Sequence, residues 1–185
     1  DSSEENTGKV ITNVDAPAVW VVGTETLVTV KDGYFQTVSE GGVMHSTHGG
    51  DLVIEGGEFK TTAERTNLLI MLNSKDRQNS KFFISGVATV TIKGGIFHGF
   101  NPSLVGDDNG ATSIEDIKFV NGCAEGYGPV KIGENLYGVY SVNTLVAKIG
   151  TIYYNTFASA LAAVQNGETI ELLDIEGNEN TEIEF

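Results

Sequence analysis

The sequence holds one cysteine, three prolines, one tryptophan and only 11 Lys and Arg among 185 residues. Cys123 alone cannot close an internal disulfide, and without a cysteine pair there is no dithiol and no cysteine-based zinc site. The count leaves the redox compartment open. Against the 11 basic residues stand 25 acidic ones, for a formal net charge of −14, which repels phosphate backbones and anionic lipid surfaces. No nucleic-acid partner is expected. Long apolar runs are missing too. The longest largely apolar stretch, Phe157 to Val164, has eight residues, short of the ~20 that a membrane-spanning helix needs, so no membrane insertion is expected. The first residue is aspartate, so any signal peptide has been removed or lies outside this sequence.

Glycine, by contrast, is abundant. Its 23 copies beside three prolines suggest many tight turns in an ordered chain and argue against a disordered linker. The length suits one or two domains.

The chain also repeats itself. Val28-Thr29-Val30-Lys31-Asp32-Gly33-Tyr34-Phe35, Leu52-Val53-Ile54-Glu55-Gly56-Gly57-Glu58-Phe59 and Val90-Thr91-Ile92-Lys93-Gly94-Gly95-Ile96-Phe97 share one pattern, at spacings of 24 and 38 residues. Twenty-four suits one coil of a parallel β-solenoid, and the longer spacing fits a coil carrying a protruding loop at Asn73 to Ser80. Strand alternation sends Val28/Val30, Leu52/Ile54 and Val90/Ile92 inward as aliphatic columns when coils stack. Phe35, Phe59 and Phe97 should form an aromatic column. Lys31, Glu55 and Lys93 take one outward position, which would set opposite charges one above another. Beyond Phe97 the rhythm breaks at Asn101-Pro102-Ser103 and returns as short strands around Ile114 to Phe119 and Leu136 to Val142. Thr156 as N-cap, then Phe157, Leu161 and Val164 at helical spacing and Gly167 past the end, predict one short amphipathic helix. A strand at Thr169 to Leu173 and an acidic tail follow.

The repeated coils, together with Phe100-Asn101-Pro102-Ser103, Ala124-Glu125-Gly126-Tyr127 and the segment from Tyr154 to Leu173, resemble the right-handed parallel β-helix repeats of large surface proteins of gut and Gram-positive bacteria and of some phage fibre or capsid-appendage proteins. The likeness covers about residues 10–175. It implies an all-β fold, a right-handed parallel β-helix (solenoid) of three to four coils over residues 1–142 with its closing region. Residues 143–185 would then be a short C-terminal capping helix and the first strand of a following unit. Only three clear coils are visible, which suggests a piece of a longer polypeptide. The resemblance implies a fold more than a function, because solenoids serve as adhesins, fibres and enzymes alike.

Catalytic and metal-binding residues are expected to be absent, and so are cofactors. Asp107-Asp108 sits in a glycine-flanked turn and reads as a turn before it reads as a carboxylate pair. As a calcium loop it fails at Ala111 and Lys118. Arg65 and Arg77 are in polar stretches. His45 and His48, three apart on a strand, point to opposite faces. That leaves Trp20. In Ala18-Val19-Trp20-Val21-Val22 every residue is apolar, so one face presents apolar side chains whichever parity is buried, and Met44, 24 residues on, should share the column. Trp20 and Met44 are therefore the candidate partner-interface residues, unless the arm from Gly8 to Val14 covers them. The functional expectation is a non-catalytic structural or adhesive module, extracellular on a bacterial cell or a virion. It would self-associate or bind protein partners, with surface glycans as a further ligand. The alternative is a polysaccharide-processing β-helix enzyme.

Overall fold

Short segments of β-branched and aliphatic residues, several of them ended by glycine, favour short strands separated by sharp corners. The computed structural model describes residues 8–39, 42–63, 69–72, 86–102, 118–119 and 123–173. Strands β1 (Lys9–Thr12), β2 (Val19–Val22) and β3 (Leu27–Val30) form the first coil. The second is β4 (Tyr34–Thr37), β5 (Met44–Thr47) and β6 (Asp51–Ile54), and the third is β7 (Glu58–Thr61), β8 (Ile70–Leu72) and β9 (Thr89–Ile92). A fourth begins with β10 (Ile96–His98). Equivalent strands pair in parallel, giving three sheets: β1-β4-β7-β10 in the first, β2-β5-β8 in the second and β3-β6-β9 in the third. This is a parallel β-solenoid of about four turns.

The register matches the repeat. Val28, Leu52 and Val90 are neighbours, as are Val30, Ile54 and Ile92. Phe35 and Phe59 stack with ring centroids 5.4 Å apart at 10°, and Phe59 and Phe97 at 5.1 Å and 14°. Phe100 adds a tilted ring 6.0 Å from Phe97. The second glycines of the motif, Gly57 and Gly95, have φ of 99° and 104°, a corner conformation that a side chain disfavours. Polar residues that enter the interior are satisfied there. Thr37 Oγ1 donates to the Ala16 carbonyl at 2.9 Å, and Ser46 Oγ to the Gly50 carbonyl at 2.6 Å. The sequence loop from Asn73 to Ser80 lies outside the described residues.

At the far end of the stack two of the three sheets are continued by antiparallel strands. In the second sheet β11 (Lys118–Phe119) runs antiparallel to β8. In the first, β12 (Tyr127–Gly133) and β13 (Leu136–Ser141) form a hairpin whose second strand lies against β10, with Phe97 opposite Tyr137. The Ala124-Glu125-Gly126-Tyr127 turn is tied down by the Ala124 N–H to the Ile92 carbonyl at 2.8 Å. Beyond the hairpin come β14 (Ala147–Ile149), β15 (Ile152–Tyr154), α1 (Phe157–Ala163) and β16 (Ile170–Leu172). β15 pairs with β12 and β16 with β14, so the first sheet runs unbroken across the anticipated 142/143 division, which falls on a 3-10 turn at Val142–Thr144. The helix starts where expected, Thr156 Oγ1 accepting the Ser159 N–H at 3.1 Å. It buries Ala160 against Ala147 and Ile149, while Leu161, expected on the apolar face, is exposed.

Candidate functional site

In a solenoid, positions that only build the stack hold the same kind of residue coil after coil, so an outward position that changes at each coil is where a site can be built. The outer face of the third sheet is of the first kind. Thr29, Val53 and Thr91 are register neighbours, and Thr89 Oγ1 donates to Asp51 across the coils. Lys31, Glu55 and Lys93 follow their strands in equivalent positions and are all exposed, but they make no ion pair with one another, so the expected charge ladder is only an alignment.

The first sheet differs. Its outward column reads Lys9, Tyr34, Glu58, Ile96 and Gly138, five unlike residues in register. Tyr34, Glu58 and Ile96 flank the glycine corner and, with Asp32, Val139 and Tyr140, line a groove of about 360 Å³ that also takes in Gly33, Gly56, Gly57 and Gly95. Tyr34 donates its hydroxyl to Gln36 Oε1 at 2.6 Å, and Lys9 Nζ lies 6.0 Å from the ring centre. Burial and then the Glu58 carboxylate raise the Tyr34 pKa above the ordinary tyrosine value. Glu58 Oε1 meets His98 Nε2 at 2.7 Å, both side chains partly exposed, and Asp32 Oδ1 accepts the Gly33 N–H at 2.7 Å. Tyr140 is exposed and folds over Gly138, where an added Cβ would come within 2.7 Å of its ring. Sequence reasoning missed this site. The signal was available, because Tyr34, Glu58 and Ile96 occupy the variable position between the glycines and the phenylalanine of the repeat.

The Trp20 column needs a correction. Met44 pairs with Val19 and is fully buried in the core, so it is no surface residue. The coil length is 25 residues here rather than 24, and a one-residue shift moves a strand residue to the other face. Trp20, 61% exposed, has His45 as its outward neighbour, the two rings stacked at 5.7 Å and 12°. His48 has left the strand, in the left-handed region at φ 51°. Burial and then the nearby His48 push the His45 pKa down to about 4, and its Nε2 is buried without a hydrogen-bond partner.

This shift has a measurable consequence. The folded protein keeps His45 neutral while the unfolded chain takes up a proton below the ordinary value of 6.5. Stability is therefore complete above pH 6.5 and falls as the pH drops toward 4. The expected loss is about 2 kcal/mol, after allowing for the attraction of a protonated ring to Trp20. Urea denaturation at pH 7 and pH 4.5 should show His45→Phe losing about that much less than the parent, and equal losses would refute the assignment.

Cys123 is partly buried with Sγ 3.9 Å from the Pro102 carbonyl, and burial pushes its pKa up to about 12. The thiolate is the reactive form. A disulfide reagent at pH 7.5 should therefore label Cys123 roughly a hundredfold more slowly in native protein than in denaturant, and comparable rates would contradict the burial.

Asp107, Asp108, Arg65 and Arg77 lie outside the described residues. Of the carboxylates from Glu168 onward, Glu168 Oε2 accepts the Gln165 N–H and Glu171 pairs with Lys148 at 3.0 Å. Among the described residues no group of three His, Cys, Asp or Glu side chains converges to hold a metal, and no helix is long and apolar enough to cross a membrane. Comparison with family models, curated proteins and solved structures finds no match to this chain. The class is thus defined by the architecture, a parallel β-solenoid continued at one end by an antiparallel hairpin.

Proposed function

We propose that the chain is a non-catalytic structural or adhesive module of an extracellular surface protein, on a bacterial cell or a virion. The observation that carries this reading is the repetition. The interior columns and the outer face of the third sheet are filled, coil after coil, by residues whose work is to build the stack. Such a stack is a rigid rod that presents long surfaces. Exposed apolar residues concentrate on the first coil, where Ile11, Val14, Trp20 and Leu27 are 50–64% accessible. Among the described residues nothing pairs with the outer edges of β1, β2 and β3. Open edges and apolar patches together favour contact with protein, either another copy or more of the same polypeptide.

The competing reading, a polysaccharide-processing enzyme, draws on Asp32 and Glu58, two carboxylates lining one groove. An assay for reducing ends and unsaturated sugars across a polysaccharide panel separates the two. No release is expected, and release lost in both Asp32→Asn and Glu58→Gln would replace the structural reading with the enzymatic one. Contact at the first coil has its own readout. Trp20 emission should move to shorter wavelength as protein concentration rises, and emission unchanged across the concentration range would remove self-association through that face.

A further inference from the structure

We infer that the groove along the glycine corner of the first sheet is a binding site for a neutral oligosaccharide laid along the solenoid axis. This rests on the adhesive reading and gives it a ligand class and a place. The groove crosses the strands from β4 to β13, three inter-strand steps of ~4.8 Å, or roughly 14 Å, enough for about three sugar rings. At its two ends are Tyr34 and Tyr140, whose rings can pack against the C–H faces of a pyranose as aromatic side chains do in small-molecule sites. The corner glycines contribute backbone to the groove lining.

The polar groups select the class. Glu58 Oε2 and Asp32 Oδ2 take no protein hydrogen bond among the described residues, and both are acceptors suited to sugar hydroxyls. Lys9 stands beside the Tyr34 end, its Nζ 6.0 Å from that ring centre, but no Lys or Arg is among the residues lining the groove, where the Asp32 and Glu58 carboxylates and a chain charge of −14 disfavour an acidic polysaccharide. A peptide finds no ladder there. The corner backbone is already used from coil to coil, with Glu58 N–H on the Gly33 carbonyl at 2.8 Å, Ile96 N–H on Gly57 at 2.8 Å and Val139 N–H on Gly95 at 3.0 Å. Strand addition needs free edge groups.

The test is a printed array of neutral, acidic and amino-sugar oligosaccharides, followed by calorimetric titration of the strongest neutral hit. Neutral glycans should be retained and acidic ones not. Tyr34→Ala and Tyr140→Ala should each weaken binding about tenfold or more, and Tyr140→Phe should stay within about threefold of the parent. Leu161→Ala, exposed on α1 and away from the groove, should bind as the parent does. Melting curves exclude misfolding, and Tyr140, being exposed, is the safer of the two sites. Retention of no neutral glycan, preference for acidic or amino sugars, or binding that survives both tyrosine substitutions would overturn the assignment. Cleavage of the bound glycan would instead overturn the non-catalytic reading while supporting the groove as the site. Loss of all glycan binding with no cleavage would remove the groove and leave the scaffold.

Discussion

Phe59→Ala is expected to lower the unfolding free energy by about 3–5 kcal/mol, the range for deleting a fully buried phenylalanine. Phe59 is the middle ring of three, stacked on Phe35 at 5.4 Å and on Phe97 at 5.1 Å, with no accessible surface. Its removal takes away apolar burial and leaves a cavity between two coils. It also breaks two ring contacts, each worth ~0.5–1.5 kcal/mol beyond area. Relaxation is limited, because the coils above and below are held apart by strand pairing and cannot close the gap. The same change at Phe35, which is only partly buried, should cost clearly less. Chemical denaturation of the two variants and of the Phe59→Ala/Phe97→Ala double variant checks this. The double variant should lose less than the sum, since both singles break the one 5.1 Å contact. A Phe59→Ala loss below about 1 kcal/mol would mean that the column is not packed as described.

A stability carried by stacked coils is a sum of local interfaces, and this explains what could be read from the sequence. The Val-x-Ile-x-Gly-Gly-x-Phe motif names the interior residues directly, because strand parity, corner glycine and phenylalanine are all fixed within eight residues. The columns at Val28, Val30 and Phe35 were therefore legible, as was the cap at Thr156. The second sheet was not. Its strands lack the motif, every residue from Ala18 to Val22 is apolar, and alternation then cannot say which parity is buried. A coil one residue longer put Met44 inside and His45 beside Trp20. The antiparallel hairpin that continues the first sheet depends on pairing between Phe97 and Tyr137, 40 residues apart, which no local pattern encodes.

The groove was hidden for a different reason. Its residues stand at the position the repeat leaves free, and a search for sameness passes over them. Tyr34, Glu58 and Ile96 follow the glycines in three successive coils, and Tyr140 reaches the same face from the hairpin. In a fold whose scaffold is this regular, a site has to be sought in the departures from the repeat on one outward face, not in the repeat itself.

Gly94→Ala is the second large effect, expected to cost about 2–3 kcal/mol. Gly94 is buried at the corner after β9, and a Cβ built on it would collide with the Glu55 carbonyl oxygen of the coil before. The obstacle is backbone, not a side chain that can swing aside. Either the third corner moves away from the second or the pairing of Lys93 N–H with the Ile54 carbonyl at 2.7 Å is stretched. Gly56 stands in the same relation to the Lys31 carbonyl, so the close approach recurs at successive corners and sets how tightly the coils stack there. Alanine also stiffens the unfolded chain, which favours folding by ~0.4–1 kcal/mol, too little to offset the clash. Gly8→Ala separates the two contributions. A Cβ at Gly8 meets nothing within 4 Å, so that variant should be as stable as the parent or slightly more so. Equal midpoints for Gly94→Ala and Gly8→Ala in urea would show that the corners are farther apart than the structure places them.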